Sequence, residues 1–559
     1  MNALRKNKTT VAMIVFLLGI FMGAMDTGIV SPARTVIANA LNLDSTLSVW
    51  MVTIYSLAYA VSMPITSKLS DRFGRKRVYM ICVSIFATGS LLCGIANYVE
   101  SYNFLLASRV IQAIGGGGIL PIATAYIGAS FPAEKRGSAL GFVGAIFGIA
   151  TLIGPTIGTF ILSIAGNDHW GYLFFINLPI SIIILLLASV LEENRAERTN
   201  KRMDILGSFL IGIIILSLMY ALTNLQFHNF VESFKSLDVW PYLLVFVIFL
   251  PIFIWVEKKA DDPVLNLKFF TSTQTALTLL ISFIVGCGLM GTVFLPQFAE
   301  NVLKIKIGTG GYIVTLFALV TGFAAPLGGN LIDRIGVKKI LMLGFSSTVI
   351  GTLYQALVTA SHPTLTHLFI GLVFMGIGMG LTMGTPVNYL MMSLVDPSEI
   401  SMGQATVSLI RSIGVAISPN ILVNFIAEAG AKVPTDIQNV LPKLDGMPAN
   451  SFNLSDQQLD PALLAKFQAA DVTTIFETVK EFVGTIFTGL KPTLSQVPGL
   501  DFETVKTSYF TTLDQSQALI EKTYQTTINT GFSHLFIGAA IIAAVGLLIS
   551  CFIKSKTVK

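Results

Sequence analysis

The 559-residue chain is 53% hydrophobic and only 12% charged, with a net charge of +5 and a mean hydropathy of +0.74. A soluble domain carries about a quarter charged residues, so a soluble enzyme, a nucleic-acid binder and a disulfide-stapled secreted domain are excluded. Four cysteines (Cys82, Cys93, Cys287 and Cys551) are scattered through apolar runs and read as small core residues.

Apolar runs of about 20 residues recur along the chain, each long enough to cross a ~30 Å hydrocarbon core. They predict fourteen transmembrane helices near 10–36, 48–66, 78–98, 103–127, 138–162, 171–191, 205–223, 239–257, 275–297, 308–331, 340–360, 366–393, 402–426 and 531–553. With the amino terminus inside, the inner loops and termini hold 23 Lys and Arg, and the short outer loops hold three. Basic residues gather on the cytoplasmic side, so both termini are expected in the cytoplasm, as an even number of crossings requires.

The first predicted helix carries Asp26 at its centre, the only acidic residue deep in any span. A carboxylate there is costly unless paired, hydrated or protonated. Burial raises its proton affinity and a nearby arginine lowers it, a balance suited to binding and releasing a proton. A structural acid locked to an arginine is the other reading. Arg34 lies toward the outer interface, where snorkelling is the default. The second helix leads into a basic loop, Ser67-Lys-Leu-Ser-Asp71-Arg72-Phe-Gly74-Arg75-Lys76-Arg77. Its cations enforce topology, and Asp71 beside a helix amino terminus suits a latch that breaks when the bundle moves.

The fourth helix holds Arg109 and Gln112 on one face, then a glycine run at 115–118 and Pro121. The fifth holds Gly144, Gly148, Gly154-Pro155 and Gly158. Glycines four apart make grooves for a neighbouring helix, and the proline permits a bend. Tyr55, Tyr59, Phe86, Phe147 and Phe294 are candidates either to line a cavity or to face lipid.

After the seventh and eighth helices the basic loop returns. Gly329-Asn-Leu-Ile-Asp333-Arg334-Ile-Gly336-Val-Lys338-Lys339 matches the first at Leu, Asp, Arg, Gly and Lys with an offset of 262. Gly376, Gly378, Gly380, Gly384 and Pro386 answer the 115–118 run and Pro121, and Ser418-Pro419 answers Gly154-Pro155. The chain thus reads as an all-α polytopic membrane protein of two parallel six-helix halves with two inserted helices. Parallel repeats place a binding cavity at their interface near mid-membrane and work by alternating access. Asp26, Arg34, Gln112 and Arg411 of the thirteenth helix are the candidates to face it.

The expected divisions are 1–191, an inserted pair at 192–274, 275–426, an extracellular domain at 427–530, and 531–559. The 427–530 segment holds 12 acidic residues and 7 lysines. Asp460-Pro461 starts a predicted helix with Leu463, Leu464, Phe467, Ala470, Ile475, Phe476, Val479, Phe482 and Val483 on its apolar face. A second amphipathic stretch covers 502–528. The segment reads either as a small helical cap packing on itself or as a lid on the outer vestibule.

The Asp71 loop resembles the cytoplasmic signature of the major facilitator superfamily, GxLaDrxGrkxxl, with Ser67 at the first glycine position. Fourteen helices with an inserted pair resemble its drug:proton antiporter branch, which includes multidrug exporters of bacteria. The resemblance covers residues 1–426 and the last helix, not the outer domain. It implies a major facilitator fold in a bacterial plasma membrane, with Asp26 and Arg109 in proton coupling. It also implies gating by Asp71, Arg72, Gly74, Arg75, Asp333, Arg334 and Gly336, and an exporter motif in Gly144, Gly148, Gly154, Pro155 and Gly158.

No Walker A sequence, metal cluster or nucleophile cluster is found, so the expectation is no enzyme and no cofactor, with protons as the coupling ion. Expected partners are hydrophobic or amphiphilic small molecules or lipids, the bilayer, no nucleic acid, and a cell-envelope partner for 427–530. One deep acid against embedded arginines suits singly charged, neutral or anionic amphiphiles better than dications. The rival expectations are a dedicated exporter or flippase of lipid or cell-envelope precursors, and a receptor or scaffold that has lost transport.

Overall fold

The computed structural model describes residues 2–41, 43, 45–191, 204–227, 230–289, 291–305, 310–383, 385–442, 474–494 and 501–554. All fourteen predicted positions are helical, as a bilayer demands of a chain that must satisfy its backbone hydrogen bonds within each segment. The first six are α1 (Asn2–Ala40), α2 (Ser45–Phe73), α3 (Arg75–Val99), α4 (Tyr102–Ser130), α5 (Ala133–Ala165) and α6 (Asn177–Ser189). Next come α7 (Ile205–Asn224) and α8 (Trp240–Lys259), which pack on each other, with α7 also against α2. The ninth crossing is broken into α9 (Thr273–Gly288) and α10 (Gly291–Asn301). Then follow α11 (Gly310–Ile335), α12 (Val337–Tyr354), α13 (Leu365–Thr382), α14 (Thr385–Leu394), α15 (Ile400–Val440), α16 (Ile475–Leu494), α17 (Phe502–Gln515) and α18 (Gln517–Ser550).

Twelve of the described helices are long and apolar enough to cross a membrane. The remaining two predicted crossings are α2, which carries Ser, Thr and a charged end, and the interrupted α9–α10 pair. The sequence repeat is also a backbone repeat. Gly74 between α2 and α3 has φ 104°, and Gly336 between α11 and α12 has φ 88°. Side chains rarely tolerate that region, so both glycines make the same sharp corner. Pro155 and Pro419 likewise both sit inside helices, in α5 and α15.

The carboxy-terminal part departs from the expected divisions. At 41 residues, α15 is about 60 Å long, and α18 with 34 residues is about 50 Å. Both far exceed the ~30 Å needed to cross. The excess lengths continue into the 427–530 segment and build it. Val433 and Ile437 of α15 and Ile520 and Tyr524 of α18 share one core with Phe476, Val479, Phe482, Val483 and Phe487 of α16 and Tyr509 and Leu513 of α17. Thr527 donates to Asp436 at 2.6 Å, tying the two long helices together.

The helix before the segment therefore runs on past 427, and the helix after it begins before 530. Hydropathy marks where a helix leaves lipid, not where it ends. Among the described cap residues the apolar faces meet each other, as the self-packing reading expects. Asp460-Pro461, Leu463, Leu464, Phe467 and Ala470 lie outside the described residues, as does Gly384. Cys82, Cys93 and Cys287 are buried, while Cys551 just past α18 is exposed, which corrects its reading as core.

Candidate functional site

Asp26 is fully buried on α1, and its carboxylate accepts hydrogen bonds from two other helices. Arg109 Nη1 of α4 donates to Oδ2 at 3.0 Å. Gln112 Nε2, one turn along α4, donates to Oδ1 at 2.8 Å, and Asn177 Nδ2 of α6 to the same oxygen at 2.7 Å. Ser90 Oγ of α3 accepts from Gln112 at 2.7 Å and from Asn177 at 3.2 Å. Arg109 also donates to Gln112 Oε1 at 2.6 Å and to the Met51 carbonyl of α2 at 3.4 Å. Its guanidinium lies 4.0 Å from the Tyr55 ring centroid. A buried charge pair with most of its valences filled is strongly bound while both partners are charged, and removing one charge strands the other.

Two glycines press this cluster onto α5. A Cβ at Gly28 would lie 2.6 Å from the Thr151 carbonyl, and one at Gly154 would lie 2.7 Å from the Met25 carbonyl. Such contacts let α1 and α5 cross backbone to backbone within a turn of Asp26. At its other end α5 meets α11 the same way, with Gly137 and Gly141 against Gly329. Of the other glycines of the expected motif, Gly144 and Gly158 are buried, and Gly148 makes an ordinary contact with Thr321.

The latch residues form two matching contacts between opposite halves. Asp71 at the end of α2 accepts from the backbone N–H of Ser401 (3.3 Å) and Met402 (2.9 Å), the first turn of α15. Arg75 Nη2 donates to Asp71 Oδ1 at 3.1 Å and to the Pro397 carbonyl at 3.2 Å, and its Nε donates to Ser401 Oγ at 2.9 Å. Burial pushes the Asp71 carboxyl up from its usual range, and Arg75 pulls it back. Across the repeat, Asp333 accepts from the N–H groups of Gly137 and Ser138, both at 3.1 Å, at the start of α5. Each acid thus caps a helix of the other half, a favourable place for negative charge. In the second latch Val337 stands where Arg75 stands in the first.

Other candidates go elsewhere. Arg34 is exposed on α1 and does not join the cluster around Asp26. Arg334 is also exposed. Arg72 pairs with Asp262 at 3.3 Å rather than across the latch. Phe86 and Phe294 are core residues. Tyr55 and Tyr59 stack at 5.8 Å and lead from Arg109 toward Arg411, which is buried on α15. An apolar cavity within the carboxy-terminal half is lined by Phe317, Thr348, Thr352, Met375 and Met379. Thr352 is the repeat partner of Ser90, so an apolar space stands there where the first half has its polar cluster.

Ser90 and Asn177 escaped the sequence reading, because neutral polar residues in apolar runs are common. A single Asn beside the apolar stretch of α6 was the only signal. The loop after α8 was missed as well. There Asp262 pairs with Lys68 and Arg72, and buried Glu257 holds the loop by accepting from Val264 (3.1 Å) and Leu265 (3.3 Å). The inserted pair is thereby tied to the Asp71 latch region.

Two helical bundles with parallel repeats, joined by reciprocal acid-to-helix latches, define a multi-pass membrane transporter rather than an enzyme. The chain belongs to the Major Facilitator Superfamily, whose model matches residues 16–419. It is 35% identical over 438 residues to an uncharacterized MFS-type transporter, YfiU, of Bacillus subtilis (strain 168), covering 77% of this chain and 82% of the relative. Multidrug resistance protein 3 of the same organism is 29% identical over 419 residues (75% and 79%). Riboflavin transporter RibZ of Clostridioides difficile (strain 630) is 28% identical over 421 residues (75% and 88%). Among solved structures, the human organic anion transporter MFSD10 matches with a TM-score of 0.55 at 14% identity, over 76% of this chain and 95% of that one. The proton:xylose symporter XylE matches with 0.53 at 14% identity, over 77% and 91%. These structures share the fold.

Proposed function

We propose that the protein is a proton-coupled antiporter that exports amphiphilic drugs or related hydrophobic compounds by alternating access. The observation that carries this reading is Asp26, a fully buried carboxylate whose charge holds α1, α4 and α6 together. A proton on Asp26 cancels the pairing with Arg109 and turns one carboxylate oxygen from acceptor to donor, so the cluster must rearrange. Contact of Gly28 with α5 passes the change along that helix to Gly137 and the Asp333 latch. Proton binding at mid-membrane and release of a latch are then one mechanical event.

The names of relatives at about 28–29% identity, multidrug resistance proteins among them, support a drug-like cargo. The basic loops orient the latches toward the cytoplasm and the cap outside. The bundle divides there into the halves at 1–191 and from 275 onward, with α7 and α8 an inserted pair. No cofactor enters the cycle. Each proton entering down 100 mV supplies about 2.3 kcal/mol, roughly a 50-fold concentration ratio.

The test is proton release in energised everted vesicles on adding a lipophilic cation, an anionic amphiphile or a neutral drug, for the wild type and Asp26→Asn. Compound-dependent proton flux in the wild type, absent from the variant, is expected. Compound transport without proton movement, or flux unchanged in Asp26→Asn, refutes the coupling.

A further inference from the structure

We propose that Arg411, with Tyr59 and Phe147, forms an anion-selective headgroup subsite between the halves, so that the preferred cargo is an amphiphile with one negative charge. This rests on the export reading and names its substrate class.

Arg411 is more than nine-tenths buried on α15. Its one hydrogen-bond contact is Nη2 to Ser408 Oγ at 3.4 Å, and among the described residues no carboxylate pairs with it. The other buried arginines, Arg75 and Arg109, have Asp71 and Asp26. Arg411 therefore differs in kind: those two are neutralised within the protein, and Arg411 is left with its charge unmatched in a low-dielectric place, where a charge persists only with a partner.

The surroundings show where such a partner fits. Eleven residues past the start of α15, Arg411 stands about 16 Å along the helix, near the middle of the bilayer. Its guanidinium lies 5.8 Å from the ring centroid of Phe147 on α5, across the interface between the halves. Tyr59 of α2 is its electrostatic neighbour. Aromatic faces attract a guanidinium but do not cancel its charge. A carboxylate or sulfonate does, taking a planar fork of donors from Arg411, while Phe147 offers the apolar surface a tail needs. A dication meets only repulsion.

The subsite is also separate from the proton site. Arg109 packs on Tyr55, Tyr55 stacks on Tyr59, and Tyr59 neighbours Arg411. Proton and cargo thus occupy adjacent places without sharing a carboxylate, and their coupling passes through the rocking of the halves.

The test uses the full chain in proteoliposomes with an imposed pH gradient and membrane potential. The probes are taurocholate (an anionic amphiphile) and tetraphenylphosphonium (a lipophilic cation). Wild type is expected to move taurocholate well and tetraphenylphosphonium poorly. Arg411→Gln should slow taurocholate at least tenfold, and Arg411→Lys, which keeps the charge, should retain transport with a raised KM. Thermal unfolding of both variants checks folding, and the lysine variant decides if the glutamine variant is unstable. Taurocholate transport untouched by Arg411→Gln, tetraphenylphosphonium preferred over taurocholate, or no movement of taurocholate overturns the inference. Taurocholate transport that needs Arg411 but survives collapse of the pH gradient sinks proton antiport and leaves the subsite standing.

Discussion

Replacing Asp71 by Asn removes a single charge and leaves a carbonyl oxygen in place to accept from the first turn of α15. What is lost is the pairing with Arg75, a hydrogen bond of 3.1 Å between two buried side chains. Hydrogen bonds to charged groups are worth about 1.5–3 kcal/mol, and the helix end loses its favourable interaction with a full negative charge. The latched arrangement should therefore be disfavoured by a factor of roughly 10 to 150. Asp333→Asn removes a carboxylate that holds two N–H groups at the start of α5, where Val337 stands in place of Arg75, so its effect should be several-fold smaller. Spin labels at exposed Phe73 and Ser398, on opposite sides of the first latch, report the separation of the halves by electron–electron resonance. A new long-distance population in Asp71→Asn, weaker in Asp333→Asn, is expected. An unchanged distance distribution in Asp71→Asn, or a larger change in Asp333→Asn, refutes the reasoning.

Gly28→Val should lower the melting temperature of the purified protein, because a side chain 2.6 Å from the Thr151 carbonyl forces α1 from α5 at about 1–3 kcal/mol; unchanged melting contradicts the close crossing. Ser90→Ala strands donors of Gln112 and Asn177 and should cost about 1–3 kcal/mol by the same measurement. Asp262→Ala breaks the pairs with Lys68 and Arg72, and should increase hydrogen exchange in the loop after α8 while leaving the cap unaffected. In the cap, the Thr504 hydroxyl holds the Asp501 carboxyl below its usual range. That contribution is present above the ordinary carboxylate pKa and is lost as pH falls through the lowered value. Thr504→Ala should move the Asp501 midpoint upward in a carboxyl-labelled NMR titration, and no movement removes the assigned cause.

The fold was legible because the bilayer imposes few solutions. Apolar length located the twelve helices able to cross a membrane, and the offset of 262 between Asp71 and Asp333 foretold two corners that prove to share a backbone conformation. Asp26 and Arg109 could be read as partners because each is anomalous in lipid. The cap's attachment was not legible, since the helical periodicity of α15 and α18 runs on after apolarity stops. Arg34 could not be told from Arg109 by charge alone, and the structure separates them by burial, the first exposed and the second buried. Ser90 and Asn177 carry no charge to betray them, and Asp262 lies almost two hundred residues from the lysine it binds.

The uninterrupted run of α15 from Ile400 to Val440 makes the molecule a lever. Its lower end is clasped by Asp71, and its upper end is built into the cap. The cap's described side chains rest on carboxy-terminal helices, through the shared core and through Gln525 on the Asn301 carbonyl. A rod about 60 Å long that tilts by 10° about its base carries its tip through roughly 10 Å. Each opening of the latch would thus swing the cap across the mouth of the opposite half, and whatever grips the cap from outside holds a handle on the gate at the far face of the membrane.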